Sequence, residues 1–252
     1  MYDRRTAEKI ARDLRILGVH KGDIIMIHSS LKSLGSVPAG PETVIQGLIL
    51  AVESSGTLLM PALSYGQIPH EIHISRETPS NVGAIPEYFR RCVGTGRSLH
   101  PTHSVCGVGK AVDELFRDHH LDTTPCGSHS PFNRMIDFGV KILMIGCGLK
   151  PNTTMHALEE YVVPPYLFGE ECLYTITDWN GNTFRKTYTR HGFKGWTQRY
   201  DRIAQLPDTH FMTVGRTLEA ETFLIDAAAL KSAVLARLKE NPLFFVDCKM
   251  DG

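Results

Sequence analysis

The chain has 252 residues, 42 % hydrophobic and 21 % charged, an ordinary globular balance with enough apolar material for a sizeable core. Lys+Arg and Asp+Glu each number 27, so the formal charge is zero and the basic excess expected of a nucleic-acid binder is missing. No apolar run approaches the roughly 20 residues of a membrane span, the charged N-terminus lacks a signal peptide's apolar centre, and six irregularly spaced cysteines read as reduced thiols of a cytoplasmic protein.

Residues 6–17 set Ile10, Leu14 and Leu17 at helical spacing, and Gly18 ends that helix. Residues 23–27 (DIIMI) read as a buried strand, followed by a polar loop from His28 to Gly35. Pro41 is placed to start a helix over 42–52, and 57–60 read as a second buried strand. Strand, loop, helix and strand make a βαβ unit, which implies parallel pairing. Residues 61–82, with Pro61, Pro69 and Pro79, form a loop of the length that usually carries function. Helices are predicted over 84–91 and 111–118, with a loop at 100–109 leading into a short strand. Ser130-Pro131 is a helix start. Residues 140–145 are a third buried strand, ended by Gly146-Cys147-Gly148, and Asn152 caps a helix over 153–161. Residues 172–177 and 183–189 flank an Asn-Gly turn, the signature of a hairpin. A helix over 227–239 closes the chain. The pattern predicts a single α/β domain over residues 1–252 with an antiparallel appendage near 170–215.

Three clusters carry candidate chemistry. In Asn152-Thr153-Thr154-Met155-His156-Ala157-Leu158-Glu159 the histidine and the glutamate share a helix face just past a buried strand, where α/β sheets bind ligands. A carboxylate there can raise the pKa of His156 and fix its tautomer, as a base facing an amine requires. The ordinary alternative is a hydrogen-bonded histidine beside a solvated Glu159. Around 100–106, His100, His103 and Cys106 have spacing that suits zinc, with Cys126 and His129 as further candidates, but no CxxC or HExxH accompanies them. The same loop also reads as a polar turn or a ligand contact through Thr102, His103 and Ser104. Third, His28, Ser29, Ser30, Gly35, Ser36 and Gly40 between strand and helix offer hydroxyls and amides to an anion. No G-x-S-x-G elbow occurs, against an ordinary serine hydrolase.

Seven segments in order resemble the aminoglycoside 3-N-acetyltransferase (antibiotic N-acetyltransferase) family: HSSLKSLG (28–35), GTLLMPA (56–62), TPSNVGAIPEYFRR (78–91), RSLHPTHSVCGVG (97–109), GSHSPFNRM (127–135), KILMIGCG (141–148) and NTTMHALEE (152–160). The resemblance implies a three-layer α/β/α sandwich with a mainly parallel central sheet. It implies acetyl-CoA as co-substrate, no metal, and direct transfer to an amine, with His156 as general base and Glu159 its partner. His28, Ser29, Ser30 and Ser36 match the CoA-binding loop, and His103, Ser104 and Val105 the segment beside the pantetheine arm. Thr153, Thr154 or Ser104 are the expected oxyanion donors. The acceptor falls to residues 65–78, with Tyr65 and Glu71, and the 3-amino group of an aminoglycoside is one candidate. Family members that modify these polycations carry acidic residues there, whereas this segment mixes Glu71 and Glu77 with His70, His73 and Arg76. A homodimer is compatible with the sequence, and neither nucleic acid nor membrane is an expected partner. Two alternatives stand beside this reading: a catalytically silent acyl-CoA-binding relative, and a metal-dependent hydrolase built on His100, His103 and Cys106.

Overall fold

The apolar runs of the sequence form the middle of one sheet. The computed structural model describes residues 1–66 and 71–249. In chain order the elements are α1 (Arg4–Leu17), β1 (Ile24–Ser29), α2 (Pro41–Val52), β2 (Thr57–Pro61), β3 (Ile72–Ile74), α3 (Ala84–Cys92), β4 (Gly96–Arg97), β5 (Val105–Gly109), α4 (Val112–Phe116) and α5 (Pro131–Arg134). There follow β6 (Lys141–Ile145), α6 (Thr154–Glu160), β7 (Phe168–Thr177), β8 (Thr183–His191), β9 (Trp196–Gln198), β10 (Met212–Thr217), β11 (Ala220–Asp226), α7 (Ala227–Glu240) and β12 (Val246–Cys248).

Among the described residues the main sheet has the order β10-β11-β6-β1-β2-β5-β4. Its centre, β6-β1-β2, is parallel; β11 joins β6, and β5 joins β2, antiparallel. Alternation along the strands divides the core between two faces. Ile25, Ile27, Leu58, Met60, Leu143 and Ile145 pack with α1, α2 and α3, whereas Met26, Leu59, Ile142 and Met144 pack with α4 to α7. This is the layered α/β sandwich the sequence implies, with its parallel part at the centre. Each fully buried side chain of this kind contributes about 1.5–3 kcal/mol relative to exposure.

Local chemistry sets the element ends. Asp3 caps α1 by accepting from the Thr6 amide at 2.8 Å, and Gly18 closes it in the left-handed region at φ +115°. Ser130 caps α5 as expected. Thr153, not Asn152, occupies the cap position of α6, while the Asn152 carboxamide oxygen still accepts from the Thr154 amide at 3.2 Å. Gly146 is required twice over: its φ is +64°, and a Cβ there would lie 2.5 Å from Cβ of Ser33.

The expected hairpin is present, and it is longer than its sequence pattern. β7 and β8 pair from Phe168↔His191 to Thr177↔Thr183, and β3 adds to β7 in parallel. Asp178 Oδ1 accepts from the amides of Asn180 and Asn182 at 2.8 and 2.9 Å, holding the turn. The Thr189 amide donates to Thr123 O, and Lys186 Nζ to Asp122 O, both at 2.8 Å, which seats β8 on the main body. The appendage stops short of the expected limit of 215, since β10 belongs to the main sheet. β10 is mostly exposed and contains Gly215, so it carries no clean alternation to mark it.

Arg97 ties the 61–82 loop to this frame. Its side chain is buried and donates to the carbonyls of Ala62, Ser75 and Thr78 and to the hydroxyls of Ser64 and Ser104, at 2.6–3.1 Å. Burial lowers its pKa to about 10. Among the described residues no helix is long and apolar enough to cross a membrane.

Candidate active site

Strand β6 ends in the Gly146–Gly148 turn and α6 begins at Thr154, so His156 and Glu159 lie at the carboxyl edge of the parallel core. His156 lines a cavity of about 810 Å³, and Glu159 lies behind it. Glu159 is fully buried and His156 nearly so. Their contact is partly bridged: His156 Nδ1 is 3.3 Å from Glu159 Oε2 and 2.8 Å from the Tyr200 hydroxyl, which itself lies 2.6 Å from Glu159 Oε2. Tyr166 donates to the other carboxylate oxygen at 2.7 Å. Burial raises the Tyr200 and Tyr166 hydroxyls above their ordinary values, and the Glu159 charge adds to this, so both remain donors. Tyr200 has one proton and gives it to Glu159, so its oxygen accepts from Nδ1–H of His156. That tautomer leaves the lone pair on Nε2.

Two more imidazoles stand against this ring. The His191 centroid is 4.2 Å and that of His103 6.0 Å from His156. Burial lowers the pKa of both well below the ordinary range, so they are neutral. His191 Nε2 lies 3.7 Å from Glu160, whose carboxyl burial lifts to about 7 against hydrogen bonds from Thr124 and the Cys126 amide. The histidine is shifted down and the acid up, so the contact is one between neutral partners only below about pH 7, where Glu160 keeps its proton. Nitrogens of His103, His156 and His191 lie within 4.8 Å of one another, as do Cys126, Glu160 and His191 ligand atoms, so either group has the spacing to hold a metal ion.

The 28–40 loop opens beside this centre. The Ser30 amide donates to Ile145 O at 2.9 Å, and Ser33 Oγ to Gly146 O at 2.7 Å, locking the loop onto the end of β6. His28 and Ser29 line the main cavity. Ser29 also borders a second hollow with Ser30, Lys32, Gly35 and Gly40. Among the described residues, buried polar atoms there lack protein partners: Ser29 Oγ, His28 Nε2 and, across the cavity, Asn152 Nδ2. Such groups call for a ligand or water.

The remaining expected residues divide. Tyr65, His103 and Thr153 line the cavity. Ser104 and Val105 do not: both are fully buried, and Ser104 Oγ is committed to Ala62 O and Arg97. Thr154 is likewise buried behind the wall, Ser36 is exposed outside the hollow, and Glu71 is exposed outside the cavity. Gln67, Ile68, Pro69 and His70, part of the expected acceptor segment, lie outside the described residues. The His100/His103/Cys106 spacing does not make a ligand group. His100 Nδ1 accepts from the amides of Thr102 and His103, and Cys106 sits in the core beneath α1 to α3. Sequence reasoning misses Tyr200, Tyr166, His191, Glu160, Tyr174, Gln198, Lys150 and Arg190. Tyr174, Arg190 and His191 fall in or just past the predicted hairpin and Glu160 in the NTTMHALEE segment, but no spacing there marks them as site residues.

A family model described as aminoglycoside 3-N-acetyltransferase matches residues 26–239. Aminoglycoside N(3)-acetyltransferase VII of Streptomyces paromomycinus is 33% identical over 179 residues, which cover 64% of this chain. The chain spans 62% of the length of that curated relative. Among solved structures, AAC-IIIb in binary complex with CoASH superposes with a TM-score of 0.81 at 25% identity, covering 93% of this chain and 96% of that one. A histidine-to-alanine mutant of AAC(3)-IVa in complex with a gentamicin gives 0.81 at 26%, covering 97% and 92%.

Proposed function

The chain belongs to the aminoglycoside 3-N-acetyltransferase family, and on that premise we propose that it transfers the acetyl group of acetyl-CoA to an amine, with His156 as general base. The observation that carries this reading is the Glu159–Tyr200–His156 chain, which fixes the tautomer that leaves Nε2 unprotonated beside a large cavity. The solved relative in complex with CoASH supports the choice of donor.

Acetyl-CoA lies along the 28–40 loop, with its phosphates over the second hollow near Lys32 and its thioester reaching past Ser29 toward His156. The acceptor ammonium first loses a proton to solvent. As the neutral nitrogen attacks the acetyl carbonyl, Nε2 takes the remaining excess proton, and Glu159, through Tyr200, stabilises the imidazolium. Asn152 Nδ2, buried and without a protein partner, donates to the developing oxyanion. The C–S bond then breaks, and the imidazolium returns its proton to the CoA thiolate.

Transfer is direct. Among the described residues Cys147 is the cysteine that lines the cavity, and burial lifts its thiol to about 11, so little thiolate exists to form an acyl-enzyme. No step requires a metal. The test is release of free CoA thiol from acetyl-CoA across a panel of amines, with His156→Ala beside the wild type. Amine-dependent release that His156→Ala loses supports the reading; equal turnover by the variant refutes it.

A further inference from the structure

The cavity that must receive the acceptor has the wrong charge for a polycation. Among the described residues no aspartate or glutamate lines it, while two cations, Lys150 and Arg190, do. Glu159 lies beneath the floor, fully buried and committed to two tyrosines. Residues 67–70, outside the described residues, are Gln, Ile, Pro and His, none of them acidic. Glu71 is close enough to raise the pKa of Arg190 but is exposed outside the wall.

Arg190 is built rather than incidental. Its Nε donates at 2.9 Å to the hydroxyl of Tyr174, a side chain only 1 % exposed, and its guanidinium carbon lies 5.6 Å from the centroid of that ring. This fixes the side chain's direction and leaves the two terminal nitrogens for a ligand. Arg190 lines the same cavity as His156 and His191, whose rings touch, so a group bound at Arg190 shares the cavity with the reacting centre. In the proposed function the donor's phosphates have their own place, the hollow bordered by Lys32 and the 28–40 loop.

Resting on the acetyltransferase reading above, we propose that the acceptor is an amine that also carries an anionic group, a carboxylate or a phosphate monoester. Arg190 binds that group and Lys150 supports it through its charge. A polycationic aminoglycoside would meet two positive charges and, among the described residues, no carboxylate in the cavity wall, at a cost in steering and in affinity.

The experiment uses matched acceptors with acetyl-CoA: β-alanine against 3-aminopropanol, phosphoethanolamine against ethanolamine, and sisomicin as the polycation. The expected result is a kcat/KM roughly tenfold or more higher for the anionic member of each pair, the size of one charge-assisted contact. Arg190→Gln should abolish that preference through the acceptor KM, with the acetyl-CoA KM unchanged, and Arg190→Lys should restore part of it. Sisomicin acetylated more efficiently than either anionic amine would overturn the proposal and leave the acetyltransferase reading standing. So would a loss in Arg190→Gln that falls on the acetyl-CoA KM, which would assign the cation to the donor. Silence across the whole panel would overturn both.

Discussion

The two walls of the cavity are made in different ways. One comes from the main sheet: the ends of β1 and β6, the 28–30 loop and the first turn of α6, each a short run of adjacent residues. The other comes from the small sheet and the chain just beyond it: Tyr174 on β7, Arg190 and His191 on β8, Gln198 on β9, then Tyr200. The first wall holds the reacting groups on rigid parallel strands. The second is fastened to the main body by Lys186 and the Thr189 amide, which bond the carbonyls of Asp122 and Thr123, and is braced within itself by the Tyr174–Arg190 pair. The contrast teaches that, on the proposed reading, the base His156 and the acceptor-binding Arg190 come from separate pieces of chain, which meet where His156 touches Tyr200 and His191.

If the main-sheet wall carries the chemistry, the largest effect belongs to His156→Ala. Loss of a general base should lower kcat by ~10²–10⁴-fold with the acetyl-CoA KM little changed, measured by thiol release. Arg97→Met tests whether the loop really hangs on one guanidinium. It strips hydrogen bonds from three buried carbonyls and should destabilise the protein by about 3–5 kcal/mol, read from urea denaturation; a loss within about 0.5 kcal/mol, the scale of an ordinary surface change, would show the tie to be redundant.

Glu160 tests the junction, through pH. In the unfolded chain its carboxyl ionises near 4.5, whereas in the folded protein burial holds the proton to about 7. The folded state therefore binds this proton more tightly. Its contribution is fully present below pH 4.5, declines as pH rises, and is lost above about 7, a swing of about 3 kcal/mol. Glu160→Gln is neutral throughout, so wild type should lose that amount relative to the variant between about pH 4.5 and 8. A difference that stays flat in denaturation curves over this range contradicts it.

Tyr200→Phe breaks the bridge between the walls while Glu159 remains. The tautomer loses one hydrogen bond, so kcat should fall roughly tenfold, with the acidic limb of the pH–rate profile displaced; an unshifted profile would make Tyr200 a packing residue. The smallest effect is expected at the hairpin tip. Gly181 has φ +92° with open space around it, so Gly181→Ala should lower stability by about 1 kcal/mol through strain and leave turnover alone.

Sequence legibility follows the same division. β1, β2 and β6 are buried apolar runs, and His156 with Glu159 lie three apart on one helix, so periodicity and spacing place them. The loop His28–Ser30 falls in the strand-to-helix connection where ligands are expected. Tyr200 reaches His156 across 44 residues of chain and Glu159 across 41, which no local pattern encodes. Arg190 is invisible for the same reason: it meets Tyr174, 16 residues away and paired with Lys186, only because β7 and β8 lie side by side. Ser104 and Val105 show the converse failure. Their segment matches a family motif, yet strand β5 and the residue before it turn both inward, where Ser104 serves Arg97. A motif records chain neighbourhood, and exposure to the cavity is decided by the sheet.

The β7–β8 hairpin is one continuous stretch, closed by a five-residue turn over 178–182 at its outer end and seated on the main body through Asp122 and Thr123. In evolutionary terms it is a replaceable part. Drift in the length or charge of this stretch alters which molecule sits beside the base without disturbing the strands that hold the donor. Diversification of acceptors among proteins of this architecture therefore has a cheap route, through a ribbon whose tip faces solvent and whose inner end supplies Arg190.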